Sequence, residues 1–411
     1  MVDPGSITTV TTATADRYTI ISSDCHAGAN HKTYREYLES SWHDEFDAWR
    51  GKYRNPFRDL QDDGRSRNWD NDRRISEQHT DGVVAEITFP NTVPPFFPTG
   101  TLIAPQPTDK DLPRRLAGIR AHNRWLADFC ADYPERRAGI GQIFLNDIDE
   151  AVADVKWIAD HNLRGGALIP SIAPNSDLPP LFHPRYDPVW AACEEHNVVM
   201  TLHSGGTGMP DYGDSPAAGP MFVIETPFFS NRSMWHLIMG GVFERYPGLK
   251  AVFTEQGFGW VPEILRRLDG LHAQMSMTGR TGELGFSADS VLPEKPSFYF
   301  DRNIWIGISF PGPNEMRLLD RVGDHKVMWG SDYPHVEGTY PYSREGIRFA
   351  LHDRDEESMR RILAGNAADV YGFDLDALAP LAAEHGPTVA EIAEPLAEIP
   401  KDATSPAFWG K

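Results

Sequence analysis

Eight short apolar runs recur along the chain, rich in β-branched residues and bounded by glycine or proline. They are YTIISSDCH (18–26), GVVAEITFP (82–90), RAGIGQIFL (137–145), GGALIPS (165–171), VVMTLHSG (198–205), KAVFTEQG (250–257), IWIGISF (304–310) and KVMWGSDYP (326–334). Near-continuous apolarity, rather than alternation, marks strands buried on both faces of a parallel sheet. Longer segments of helical period lie between them. LAGIRAHNRWLADFCADY precedes the third run, and SMWHLIMGGVFERYP leads into the sixth. DEAVADVKWIADHN opens on acids, as a helix N-terminus favours. Strand then helix, repeated eight times, predicts an α/β fold of the (β/α)8 or TIM-barrel kind over residues 18–373. An open, doubly wound sheet is the competing topology. It is disfavoured because the first strand-to-helix turn carries no GxGxxG.

Three segments fall outside this rhythm. Residues 27–72 form a long, charged and aromatic insertion directly after the first strand, where a lid or an oligomer contact is expected. Residues 1–17 read as a flexible polar arm. The extension 374–411 has Pro, Ala and Glu but no strand runs, and is expected to wrap the surface or a neighbouring subunit.

Charge narrows the partners. With 39 basic and 59 acidic residues the formal charge is -20, which argues against nucleic acid and anionic membrane surfaces. No apolar run approaches a membrane span, and no basic-then-apolar leader opens the chain, so a cytoplasmic location is expected. Cys25, Cys130 and Cys193 are scattered and odd in number, which argues against a disulfide framework.

The ends of the predicted strands carry the candidate chemistry. Asp24 and His26 alternate with Cys25, so they share one face of the first strand. The fifth run stops at His203, the sixth at Glu255 and the eighth at Asp332. Buried carboxylates are costly unless paired, and a shared cation offsets that cost. Asp24, His26, His203 and Asp332 supply two oxygens and two nitrogens, a set suited to Zn²⁺, Mn²⁺ or Fe²⁺. Asp332 and Glu255 are the candidate proton-transfer groups. His335 is placed to support the pocket, and Arg73 to meet a substrate carboxylate. Glu77 and His79 are expected on a helix running away from the mouth, as a packed or solvated pair. His236 is expected to pack on its own helix.

Several motifs carry a family resemblance: DCH in the first strand, LHSG in the fifth, GVFERYPGLKAVFTEQGFGWVPEILRRLD, KVMWGSDYPH and ILAGNAADVYGF. Together they resemble the amidohydrolase superfamily, in the branch that includes aminocarboxymuconate semialdehyde decarboxylase and the resorcylate-type decarboxylases. The resemblance implies a metal held at Asp24, His26, His203 and Asp332, with one ion as the simplest count and Glu255 able to bring in a second. Asp24 stands where many members have a histidine, and Glu255 where the semialdehyde decarboxylase has one.

The implied activity is hydrolysis or decarboxylation of a small carboxylated molecule. Two alternatives stand beside it. One is an oxygenase with two redox metals, iron or iron with manganese. The other is a non-catalytic partner subunit. A homo-oligomer or a complex with a paralogous chain is expected.

Overall fold

The computed structural model describes residues 16–54, 63–174, 176–205, 208–280, 283 and 292–409. All but the last two residues of the predicted arm, and the middle of the insertion, lie outside these residues.

All eight predicted strands form: β1 (Ile21–Ala27), β2 (Ala85–Pro90), β3 (Arg137–Gln142), β4 (Gly166–Leu168), β5 (Met200–His203), β6 (Ala251–Thr254), β7 (Ile304–Ser309) and β8 (Val327–Gly330). They pair in parallel in chain order. Every strand residue is buried except the partly exposed Trp305, as the continuous apolar runs required.

The seam between β1 and β8 closes the barrel at the level of the candidate ligands. Cys25 bridges Tyr333 in parallel. The Asp332 amide donates to the Asp24 carbonyl at 2.9 Å, and the His26 amide to the Tyr333 carbonyl at 2.7 Å. Approach here is close enough to demand a glycine: a Cβ on Gly330 would lie 2.8 Å from that of Asp24.

Alternate residues of the strands, among them Ile21, Ile87, Ile140, Val199, Val252 and Met328, form one apolar cluster with Tyr371, Phe373 and Leu378. Val199, just before β5, shares a face with Thr201 and His203 on the strand, so the cluster leads up toward the mouth. The other faces pack against the surrounding helices through Val155, Ile158, Trp190, Leu237 and Ile347. Between these layers lies one buried charge network. Glu86 of β2 accepts from Arg74, Arg137 and Gln78. Arg74 also donates to the His26 carbonyl at 2.8 Å, tying the network to β1.

The helices follow the sequence with two adjustments. The acid-led segment becomes Ile148–Asp160, capped by the Asp147 carboxylate on the amides of Asp149 and Glu150. The segment before β3 starts earlier than its periodicity indicated, at Leu112, with proline in the first turn. The segment before β6 is two pieces: a long helix, Ala218–Met239, then a turn at Val242–Arg245 after left-handed Gly241.

The insertion contains the helices His31–Tyr37 and His43–Lys52. Leu38 and Phe46 pack on Phe96, Ala117 and Ala121, so the aromatic content serves a small core against the loop after β2. The extension packs on its own barrel. Val389 N–H donates to the Asp16 carbonyl at 2.9 Å, and buried Phe408 lies against Phe349. All three cysteines are buried and free.

Candidate metal centre

The strand-end residues converge. His26 Nε2 lies 3.3 Å from Asp24 Oδ1 and 3.1 Å from Asp332 Oδ1. His203 Nε2 lies 3.4 Å from the same Asp24 oxygen. All four residues are buried. Asp24 Oδ1, His26 Nε2, His203 Nε2 and Asp332 Oδ2 have no hydrogen-bond partner. Four buried, unpartnered donors drawn from β1, β5 and the end of β8 are what a cation site requires, because each would otherwise carry its full desolvation cost. Asp24, His26 and His203 each offer a ligand atom within 4.8 Å of the others, and so do His26, Asp332 and His335. The residues fit a divalent ion bound through mixed oxygen and nitrogen donors.

Each donor is oriented from behind. Ser309, at the end of β7, donates to Asp24 Oδ2 and leaves Oδ1 facing the two imidazoles. The His203 Nδ1 faces the Ser204 carbonyl at 2.6 Å, which points Nε2 inward. His335 Nδ1 lies 2.8 Å from Asp332 Oδ1, and its Nε2 lies 3.1 Å from Asn91 Oδ1.

Electrostatics follows from this crowding. Burial opposes ionisation of Asp24, but His203 and His26 outweigh it and hold the carboxyl below the usual range. Burial also works against a charged His335, and Asp332 overcomes it, raising the imidazole to about 10. Glu255 is pushed up to about 8 by burial, with repulsion from Asp332 and Asp24 adding to it and His203 opposing. Glu255 and Asp332 both adopt left-handed backbone, with φ of 57° and 59°. Such conformations are costly outside glycine and cluster at functional sites.

A cavity of about 570 Å³ opens above the cluster. Its wall includes Asn91, His203, Glu255 and His335, with apolar contributions from Leu102 and Phe222. Glu255 Oε2 stands 3.4 Å from His203 Nδ1.

Other predicted residues lie elsewhere. Arg73 does not line this cavity; it donates to Glu77 at 2.9 Å and to Ser66 at 2.9 Å. Glu77 and His79 lie on the helix Asn71–Asp81, each with its own partners. Glu77 accepts from Arg67 and from the Tyr333 hydroxyl, both at 2.7 Å, which ties its helix to the loop after β8. His79 stacks on His385. His236 packs edge-on against Phe182. Ser309 and Asn91 escaped the sequence reading. Ser309 carried the same signal as its neighbours, a polar residue closing an apolar run. Asn91 follows β2 in a loop with no periodicity to mark it.

A closed parallel barrel whose acids and imidazoles meet at the C-terminal mouth is the scaffold of enzymes that work through strand-end residues. A family model described as amidohydrolase matches residues 24–373, and the chain belongs to the amidohydrolase family. It is 25% identical over 314 residues to 2-amino-3-carboxymuconate-6-semialdehyde decarboxylase of Dictyostelium discoideum, covering 74% of this chain and 77% of that protein. It is 28% identical over 247 residues to gamma-resorcylate decarboxylase of Rhodococcus jostii, covering 56% and 70%. Among solved structures, the 5-carboxyvanillate decarboxylase of Novosphingobium aromaticivorans, complexed with manganese and 4-hydroxy-3-methoxy-5-nitrobenzoic acid, superposes with a TM-score of 0.64. That match has 18% identity and covers 86% of this chain and 96% of the other; it is a likeness of fold. No helix among the described residues is long and apolar enough to cross a membrane.

Proposed function

We propose that this protein is a metal-dependent carboxy-lyase that releases CO₂ from a small unsaturated or aromatic carboxylic acid. The observation that carries the reading is the convergence of four buried, unpartnered donor atoms below the cavity. The names of the relatives, decarboxylases in both cases, favour carbon–carbon cleavage over hydrolysis. Neither a two-metal oxygenase nor a non-catalytic subunit finds a supporting observation.

Asp24, His26, His203 and Asp332 would hold the ion, and manganese is the first candidate because the fold neighbour contains it. When bound, a divalent cation supplies positive charge for the substrate's carboxylate or an adjacent oxygen. The rest of the chemistry falls to side chains. Ser309 fixes Asp24, so the donor set is rigid before substrate enters. Leu102 and Phe222 give the acid's carbon skeleton an apolar wall that excludes water. In the reaction, the bond between the carboxyl carbon and its neighbour breaks. The electron pair stays on the remaining carbon, and CO₂ departs. The available proton sits on His335; it passes to Asp332 at Oδ1, and Asp332 delivers it to that carbon.

The test is to load the purified chain with Mn²⁺ and follow CO₂ release from a panel of hydroxylated benzoic acids and unsaturated acids. Turnover that disappears in Asp332→Asn and His335→Asn supports the assignment. A metal-loaded protein that decarboxylates none of them, or variants as active as the parent, would overturn it.

A further inference from the structure

A second, smaller recess adjoins the metal centre, and its polar groups are unexplained by the centre itself. It has a volume of about 30 Å³, room for about two water molecules. His203, Thr101 and Leu102 line both this recess and the main cavity, so the two spaces meet beside a candidate ligand.

The recess contains Arg115, a buried guanidinium with no carboxylate bonded to it among the described residues. Its Nη1 donates to the Pro105 carbonyl at 2.7 Å, while Nε has no partner. Its flat group lies over the Phe97 ring, 4.1 Å from the centroid. The nearest acid along the helix, Asp111, accepts instead from Thr108 and Arg114. Burial lowers the Arg115 pKa to about 10, Asp111 offsetting only part of that. Most buried cations are paired, because leaving one unpaired costs several kcal/mol.

Gln142, at the end of β3, is the second anomaly. It is buried, and neither its Nε2 nor its Oε1 has a partner. Its backbone is clamped: Asn123 Oδ1 accepts from the Gln142 amide at 2.8 Å, and Asn123 Nδ2 donates to its carbonyl at 2.9 Å. Thr101 Oγ1 and Gln106 Oε1, also on the recess wall, are unpartnered as well. An unpartnered side-chain amide on a clamped backbone and a guanidinium without a counter-charge line one small space and form a polar receptor.

We infer that this recess is a subsite for a second anionic group of the substrate, a carboxylate remote from the one at the metal centre, received by Arg115 and Gln142. The inference deepens the reading of the centre as a site for small carboxylic acids and rests on it. A carboxylate matches the guanidinium fork and accepts from the Gln142 amide nitrogen. The recess admits such a head group and not a ring, which would make the subsite a discriminator between mono- and dicarboxylic acids. Arg115 and Gln142 are then specificity-determining residues that act in binding.

The experiment measures binding, so it stands apart from turnover. The full-length, Mn²⁺-loaded protein is titrated calorimetrically with benzoate and with the three benzenedicarboxylates. At least one dicarboxylate is expected to bind tenfold or more tightly than benzoate. In Arg115→Met that preference falls to less than threefold while benzoate affinity is unchanged. Arg115→Met is expected to fold, since it replaces an unpaired buried charge by an apolar chain of similar length. Gln142→Leu, a second variant, is expected to lose part of the preference. No preference in the parent protein, or a preference retained in folded Arg115→Met, overturns the inference. An Arg115-dependent preference in a protein that decarboxylates nothing would leave the subsite standing and remove the carboxy-lyase reading.

Discussion

The backbone amide of Asp332 donates to the carbonyl of Asp24 at 2.9 Å. Two acids more than three hundred residues apart in the chain are thus held together by the hydrogen bonds that close the barrel, before any cation is considered. The cluster of candidate ligands and the seam between β1 and β8 are one structural feature. Disturbing either disturbs the other.

Ser309 gives the most selective probe of that arrangement. Its hydroxyl takes Asp24 Oδ2 and directs Oδ1 toward His26 and His203. Ser309→Ala is expected to weaken metal affinity about tenfold, as loss of an orienting partner typically does. Competition with a chelator measures it, and unfolding curves should stay close to those of the parent.

His335 separates binding from proton transfer. It lies 2.8 Å from Asp332 Oδ1 and lines the cavity, so in the proposed reaction it would be the proton's route. His335→Asn is expected to lower kcat about 100-fold with metal content preserved. Steady-state kinetics with metal analysis on the same sample checks both halves.

The fold itself was largely legible in the sequence, and the reason is physical. Strands buried on both faces must be apolar throughout, so eight of them stand out from amphipathic helices. The convergence of the candidate ligands was legible for a related reason: Asp24, His203 and Asp332 interrupt or end apolar runs where a charge needs compensation. Arg115 was missed although it carried a comparable signal. It occupies the buried face of the helix Leu112–Ala131, together with Ile119, His122 and Leu126, and a charge on such a face calls for a partner. The pairing of Glu77 with Arg67 and Tyr333 was not legible, since it joins segments far apart in the chain. The site in the loop after β2 was also hidden, because Asn91 and Thr101 sit in a stretch with no periodic pattern.

Glu86 anchors the lower barrel. It accepts from two buried arginines and Gln78, and one of those arginines holds the His26 carbonyl. Burial opposes its ionisation, yet Arg74 and Arg137 bring its pKa down to about 2. Glu86→Gln leaves both guanidiniums without their counter-charge. A loss of about 3 kcal/mol in unfolding free energy is expected, measured by chemical denaturation.

His122 sets part of the acid sensitivity. It is buried against Tyr34, whose hydroxyl lies 2.8 Å from Nδ1, and burial lowers its pKa to about 3. Between that value and the ordinary histidine range, the unfolded chain holds a proton the folded chain lacks. Stability therefore falls as pH drops through this window, by about 1.4 kcal/mol per pH unit for each such histidine. His122→Gln should reduce the slope of unfolding free energy against pH by that amount between pH 6 and 4.

Metal content tests the central claim most directly. The parent chain, reconstituted with Mn²⁺ and freed of excess ion, should retain about one ion per chain. Asp24→Ala, His26→Ala, His203→Ala and Asp332→Ala, each shown to be folded, should retain almost none under the same treatment. Full retention by all four folded variants would contradict the account.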